Sequence, residues 1–302
     1  MQSFSNKVFL KSENTIERMD FVSLEQVSHN KLENVHFDLC IVVSGYEMRC
    51  TYLIKNYHIN AERKIAFGFT EKTSELYRSE NNELISESGF SIVNCSGDES
   101  DTIVNCIKDA FKSLDKNTLN VLIDYSCMTK VWYANIINYF LQEDEALKRV
   151  NCFFSYTTAS FDPPKKIKPV KNVYSVFTQN KVFHPEKPTA LVIGLGIEKI
   201  KAKALQKKIN PDHTILMYAD PSADKNYVKT LFDKNGDIIT KVGARNLVNY
   251  PLNDIKESYE ILTSLCLDLR LKYNIILAPL GPKVHSLICL LVSAQYPDID
   301  VW

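Results

Sequence analysis

The sequence predicts an α/β fold made of two Rossmann-like parallel-sheet domains in tandem. Short apolar segments alternate with amphipathic segments along the 302 residues, as strands and helices do in parallel-sheet proteins. Several apolar segments end in a polar turn that leads into a helix-like segment. The pattern occurs twice, and a segment rich in proline and lysine separates the copies. We therefore divide the chain into an N-terminal segment (1–36), a first domain (37–159), a linker (160–188) and a second domain (189–302).

In the first domain, the predicted strands are uninterrupted apolar runs. The run "LCIVV", for example, has the composition of a strand that is buried on both faces. The segment 98–115 begins with acidic residues and then places apolar residues at helical spacing. Strands are expected at 39–43, 64–69, 89–95, 120–124 and 150–157, and helices at 98–115 and 131–142.

The second domain repeats this order. Residues 189–208 predict a strand, a Gly-x-Gly turn and an amphipathic helix. When the domains are aligned, Gly45 corresponds to Gly196 and Lys130 to Lys283. This favours a tandem duplication, although unrelated α/β units also share such a pattern. Further strands are expected at 213–221, 275–278 and 298–302, and helices at 258–274 and 284–295. The linker holds five of the eleven prolines, which predicts a connector with a short hairpin inside it.

Composition narrows the class of protein. The 36 basic residues balance 36 acidic residues, so no global field attracts nucleic acid or a membrane surface. No apolar run approaches the roughly 20 residues of a membrane span, and the first residues lack the apolar core of a secretory signal. We expect a cytoplasmic protein without a membrane partner.

Cysteine and histidine usage predicts no metal site and no cofactor. The eight cysteines form no Cys-x-x-Cys pair and mostly lie in apolar runs, which indicates reduced core residues. The six histidines show no zinc-ligand spacing. The P-loop and Gly-x-Ser-x-Gly motifs are absent, and Cys127 is more typical of a core residue than of a nucleophile. Catalytic residues therefore stay unassigned.

Polar residues follow the predicted fourth strand of the first domain, at the end where α/β sheets bind ligands. They are Asp124, Ser126, Thr129 and Lys130. The first N–H groups of the next helix lack partners and carry the positive end of the helix dipole, so with a lysine they suit a phosphate or carboxylate. In the alternative interpretation, Ser126 or Thr129 caps the helix, Asp124 is a turn residue and the lysine is solvated.

The second domain has Gly281 and Lys283 in the equivalent turn, and this repetition favours a ligand site. The turns after the first strands are further candidates. Arg49 is suited either to bind phosphate or to pair with Glu47, and both interpretations stay open. The candidate contacts of these first turns are Ser44, Gly45, Glu47, Arg49, Gly194 and Gly196.

The second domain carries only part of the dinucleotide-binding fingerprint. Lys199 stands where the third glycine of Gly-x-Gly-x-x-Gly belongs, so the full fingerprint is absent. Asp220 ends the second strand of its domain, which is the position of the acidic ribose ligand in dinucleotide folds.

A strand, a small polar turn ending in Thr-Lys and a buried helix together resemble the ligand-binding half of CRISPR-associated Rossmann-fold (CARF) sensor domains. Thr129 and Lys130 match the Thr-Lys part of the turn, whereas the second half lacks the threonine and matches only at Gly281 and Lys283. Residues 37–157 and 189–302 carry the resemblance. It implies that turns after the first and fourth strands hold a cyclic oligonucleotide, and that a tandem chain is similar to a fused dimer with one composite pocket.

These patterns predict a nucleotide-sensing module of a prokaryotic defence or stress-response protein. Its expected partners are a phosphate-bearing ligand, such as a nucleotide or cyclic oligonucleotide, and an effector protein or an effector region after Trp302. The alternative is a nucleotide-processing enzyme, a hydrolase or transferase, that uses the same inter-domain cleft with Asp124 or Glu47 as general base. A scaffold protein that binds no small ligand is the third interpretation.

Overall fold

The computed structural model describes residues 3–10, 23–114, 116–141, 149–159, 173–176 and 183–302. The chain divides into two compact units, Met1–Ala159 and Ser160–Trp302. Each unit has its own sheet and its own buried core. Most of the linker in which a hairpin was expected, residues 160–172 and 177–182, lies outside the described residues.

The first unit contains a sheet of seven strands in the order β2-β1-β7-β6-β3-β4-β5. The strands are β1 (Ser3–Leu10), β2 (Ser23–Val27), β3 (Phe37–Ser44), β4 (Ala61–Phe69), β5 (Ser91–Cys95), β6 (Leu119–Asp124) and β7 (Val150–Thr157). Strands β3 to β7 are parallel to one another, and β1 is antiparallel to both β2 and β7. The N-terminal strand therefore extends the sheet of the first unit.

Short and long helices connect the strands of this unit. They are α1 (His29–Leu32), a 3₁₀ helix (Met48–Thr51), α2 (Tyr52–Asn56), α3 (Arg78–Glu87), α4 (Asp101–Lys112) and α5 (Lys130–Leu141). Every residue of β3 is buried, and because alternate side chains of a strand point to opposite faces, both faces of the sheet are covered there. On one face Cys40 and Val42 lie in a core cluster with Leu53 and Ile85.

The second unit contains five parallel strands in the order β10-β9-β8-β11-β12. The strands are β8 (Thr189–Gly194), β9 (His213–Ala219), β10 (Leu247–Tyr250), β11 (Asn274–Pro279) and β12 (Ile299–Val301). The helices are α6 (Lys199–Ile209), α7 (Lys225–Val242), a 3₁₀ helix (Ala244–Asn246), α8 (Ile255–Leu269) and α9 (Lys283–Gln295). Leu191 and Ile193 of β8 share a core cluster with Leu205 of α6 and Leu231 of α7.

The two units share one strand order. When the parallel strands of each unit are counted along the chain, the order across both sheets is third, second, first, fourth, fifth. This is the order of the Rossmann fold, in which the first and fourth strands are neighbours. Leu39 of β3 pairs with Val121 of β6, and Ala190 of β8 pairs with Ile275 of β11. The predicted α/β fold with two Rossmann-like domains in tandem is confirmed.

Several elements differ from the sequence prediction. Helix α8 spans Ile255–Leu269 instead of 258–274, and α4 ends at Lys112 instead of 115. Strand β10 and helices α3 and α7 were not predicted, nor was the β1–β2 pair. Only the last of the four residues of β10 is buried, so this strand lacks the apolar run by which the other strands are recognised.

All eight cysteines are free, and all except the half-buried Cys106 are buried, which agrees with the prediction of reduced core residues. Burial raises the pKa of Cys95 to about 12. In the described part of the chain, no helix combines the length and apolar character required to cross a membrane.

Candidate functional site

In the first unit, the carboxyl ends of β3 and β6 bring two predicted turns to the same edge of the sheet. The strands are neighbours, and the chain leaves them in two polar turns, 44–49 and 124–130. These strands are the first and fourth parallel strands of the unit, and the strand order reverses between them. In open α/β sheets, ligands usually bind at such a point, because the loops diverge there and leave a crevice. Ser44, Asp124 and Ser126 are all buried at this edge.

Asparagine side chains of α3 hold the turn after β3. The Ser44 hydroxyl donates a hydrogen bond to Oδ1 of Asn82. Nδ2 of Asn81 donates to the carbonyls of Gly45 and Glu47, each at 2.9 Å. This turn is therefore shaped by α3, which the sequence analysis did not predict.

Arg49 joins the same turn to the end of β7. Its Nε donates to Oε2 of Glu47 at 2.8 Å, and its Nη1 donates to the carbonyl of Thr157 at 2.7 Å. Burial lowers the pKa of Arg49, but Cys127 together with the hydrogen bond and charge of Glu47 outweighs this effect and leaves the pKa above its usual value. The sequence left Arg49 either to bind phosphate or to pair with Glu47, and in the structure it pairs with Glu47.

The turn after β6 is held by its own hydrogen bonds. Oδ1 of Asp124 accepts a hydrogen bond from the Ser126 backbone N–H at 3.0 Å and another from the Ser126 hydroxyl. The Ser126 Oγ in turn accepts from the Thr157 N–H at 2.8 Å. Asp124 and Ser126 thus connect the end of β6 with the end of β7.

Thr129 caps α5, as one of the two interpretations of the sequence expected. Its Oγ1 accepts a hydrogen bond from the Trp132 N–H at 3.3 Å and donates to the carbonyl of Gly97 at 2.8 Å. The following residue, Lys130, is the first residue of the helix and is half-buried. The lysine therefore lies at the helix N-terminus, where the sequence analysis expected it.

Cys127, in the same turn, has the properties of a structural cysteine. The neighbouring Cys50 thiol raises its pKa, and burial raises it further. A thiol in this environment stays protonated at neutral pH, and the protonated form is a poor nucleophile.

In the second unit, the two turns at the corresponding edge contact each other through their backbones. The Leu280 N–H donates to the carbonyl of Gly194 at 2.8 Å. A Cβ on Gly196 would lie 2.1 Å from the carbonyl oxygen of Leu280, and a Cβ on Gly281 would lie 2.6 Å from that of Leu195. The two glycines allow the turns to come this close to each other.

In the second unit, Lys283 begins a helix and Asp220 follows a strand, as predicted. Lys283 is the first residue of α9, which is the position of Lys130 in α5. Asp220 directly follows β9 and precedes a cis peptide bond to Pro221. Its backbone N–H donates to the carbonyl of Tyr250 at 2.9 Å. Each predicted residue thus lies at the carboxyl edge of the sheet of its own unit, and the composite pocket implied by the resemblance stays a prediction.

The sequence analysis missed a second polar group at the edge of the first unit. Arg78 and Asn81 of α3 are each 2% exposed, and Asn82 lies beside them. The sequence contains a pattern that could have revealed this group, because residues 78, 81, 82 and 85 are spaced as one helical face and three of them are polar. A buried helical face with an arginine and two asparagines indicates a polar site.

One cluster in the described residues has the composition of a metal site. Potential ligand atoms of His36, Asp38 and Glu62 lie within 4.8 Å of one another. The Lys116 ammonium pairs with both carboxylates, at 3.1 Å for Glu62. The group lies near the starts of β3 and β4, at the opposite edge from the turns described above. We interpret it as an ion-pair cluster in which the lysine supplies the positive charge.

Comparison with known proteins identifies no family. No protein-family model matches the chain, and no curated protein matches it. Among solved structures, it has 10% identity and a TM-score of 0.20 to an adenylation, ketoreductase and pseudo Asub multidomain structure of a keto acid-selecting NRPS module. That match covers 90% of this chain and 27% of the other, and a likeness at this level carries no argument. The resemblance to CARF sensors stays a prediction.

Proposed function

We propose that the chain is a nucleotide-sensing protein that binds a phosphate-bearing ligand at the carboxyl edges of its parallel sheets. One observation carries the proposal: the helix after the fourth strand begins with a lysine in both units, Lys130 in α5 and Lys283 in α9. A cation and a helix N-terminus at one point both favour a bound anion.

The charge distribution of the two helices supports this assignment. Helices usually have acidic residues in the first turn, because these interact favourably with the positive end of the helix dipole. Neither α5 nor α9 has an acidic residue in its first turn. The interaction between a lysine and the positive end of the helix dipole is unfavourable, whereas an anionic ligand at this point would interact favourably with both.

Binding is better supported than turnover. The two carboxylates proposed as general bases are already engaged, Asp124 with Ser126 and Glu47 with Arg49. We therefore favour a sensor over a nucleotide-processing enzyme. In this proposal the ligand is a nucleotide or cyclic oligonucleotide, the context is a prokaryotic defence or stress response, and the output comes from an effector protein or region.

Isothermal titration calorimetry with cyclic oligonucleotides, NAD and mononucleotides tests the proposal. We expect Lys130→Ala and Lys283→Ala each to weaken binding of the active ligand about tenfold or more, since a charge-assisted hydrogen bond contributes about 1.5–3 kcal/mol. Lys112→Ala and Lys208→Ala are matched controls, because both lysines are exposed in the last turn of a helix. Equal affinity of the wild type and the double variant Lys130→Ala/Lys283→Ala, or no binding of any of these ligands, would overturn the proposal.

A further inference from the structure

Arg78 is a buried cation at the carboxyl edge of the first unit. It is the first residue of α3, and only 2% of its surface is exposed. Its Nε donates to Oδ1 of Asn82 at 3.0 Å, its Nη1 to the carbonyl of Phe69 at 2.9 Å and its Nη2 to Oδ1 of Asn94 at 3.4 Å. All three acceptors are neutral.

No carboxylate compensates this charge within the described residues. The ion pairs of the described part of the first unit join other side chains. Burial lowers the pKa of Arg78, and the neighbouring Cys50 opposes this effect. The guanidinium nevertheless stays protonated, since an arginine is not deprotonated in proteins. Buried charges are normally paired, because removal of an ion from water is unfavourable without a counter-charge.

The contacts of Arg78 indicate the side from which an anion would approach the guanidinium. The N-terminus of α3 has no side-chain cap, so the positive end of this ten-residue helix adds to the charge of Arg78. A Cβ on Gly68 would lie 2.4 Å from Oδ1 of Asn94 and 2.8 Å from Nη2 of Arg78, so the glycine allows this pair of side chains to lie against β4. The Nη2 bond to Asn94 is the longest of the three, and Asn94 is solvent-exposed. The Asn94 side of the guanidinium is therefore the side that a ligand would approach.

We propose that Arg78 binds an oxyanion, either a phosphate group or a carboxylate, with Nη2 donating to an anion oxygen that takes the place of Oδ1 of Asn94. The site belongs to the first unit. The proposal extends beyond the function proposed above, because it does not depend on Lys130 or Lys283.

Thermal unfolding of the full chain in inorganic phosphate tests this site, with sodium chloride at equal ionic strength as reference. We expect phosphate to raise the midpoint of the wild type and to slow hydrogen exchange in residues 66–87. Parallel titrations with sulfate and acetate separate a tetrahedral oxyanion from a carboxylate. Arg78→Gln should abolish the phosphate effect, whereas Arg63→Gln, which removes an exposed arginine from the same unit, should retain it.

Asn94→Asp keeps the test decisive if Arg78→Gln does not fold. The new carboxylate would lie beside Nη2 and supply the missing charge, so we expect a higher unfolding midpoint without phosphate and no further rise with it. An undiminished phosphate effect in Asn94→Asp, or a wild type that does not respond to any of the three anions, would overturn the proposal. Loss of the effect in Lys130→Ala but not in Arg78→Gln would place the anion at α5 and also overturn it, while leaving the function proposed above intact.

Discussion

Replacement of Asn81 by alanine tests whether α3 shapes the turn after β3. The buried Asn81 amide donates to the carbonyls of Gly45 and Glu47, each at 2.9 Å, and its Oδ1 accepts from the Thr51 hydroxyl at 3.3 Å. A hydrogen bond contributes about 1 kcal/mol net, and a buried acceptor left without a donor costs about 1–3 kcal/mol. Since Gly45 is buried and Glu47 is half-buried, we expect Asn81→Ala to lower the free energy of unfolding of the first unit by about 2–4 kcal/mol.

Urea unfolding measures this change. The fluorescence of Trp132 reports on the first unit in a Trp302→Phe background, since the chain has two tryptophans. Asn56→Ala is the control, because Asn56 also donates to a backbone carbonyl, that of Tyr52, but is exposed at a helix end. We expect the control to change the free energy of unfolding by no more than about 0.5 kcal/mol. Equal effects of the two substitutions would refute the assignment of the turn to Asn81.

Glycine and charge substitutions in the second unit test the close approach of its two turns and the ion pair between Lys203 and Asp237. Gly196→Ala forces a Cβ toward the Leu280 carbonyl and should lower the free energy of unfolding by about 1–3 kcal/mol in urea. Gly236→Ala, in the interior of α7 with no atom within 4 Å of the new Cβ, should raise it by about 0.5–1 kcal/mol, and the same sign for both would contradict the close approach of the turns. A hydrogen bond from Lys203 lowers the pKa of Asp237 from 3.8 to about 2. Because the folded pKa lies below the unfolded one, this stabilisation is present above about pH 4 and is lost as the pH falls toward about 2. Between about pH 6 and about pH 3, the unfolding temperature should therefore fall further in the wild type than in Asp237→Asn, and equal falls would disprove the ion pair.

The sequence predicted best the features that short segments determine. The apolar run in β3 predicted a strand buried on both faces, and every residue of that strand is buried. The polar turns before Lys130 and Lys283 predicted helix starts, and both lysines are the first residues of their helices. These features depend on neighbouring residues, because strand burial and helix capping follow from local composition.

The candidate site was predicted less completely, because hydrogen-bond partners distant in sequence determine its state. The sequence left Arg49 between a phosphate and Glu47, and Thr129 between a ligand and a helix cap. Arg49 bonds to Glu47 and to Thr157, whereas Thr129 caps α5. Only the folded chain brings the carbonyl of Thr157 to Arg49, and no pattern in the turn itself indicates that contact.

By itself the sequence determined two Rossmann-like units, the edge of each sheet that carries polar turns and the lysine that begins the helix after each fourth strand. These follow from the order of apolar strands, turns and helices, which is read along the chain. Tertiary structure alone decided that Arg78 is buried beside Phe69, Asn82 and Asn94 and that no carboxylate among the described residues pairs with it. The reason is that burial and charge compensation depend on which distant segments meet, and an arginine in a polar helix has the same local sequence whether it faces water or the end of a strand.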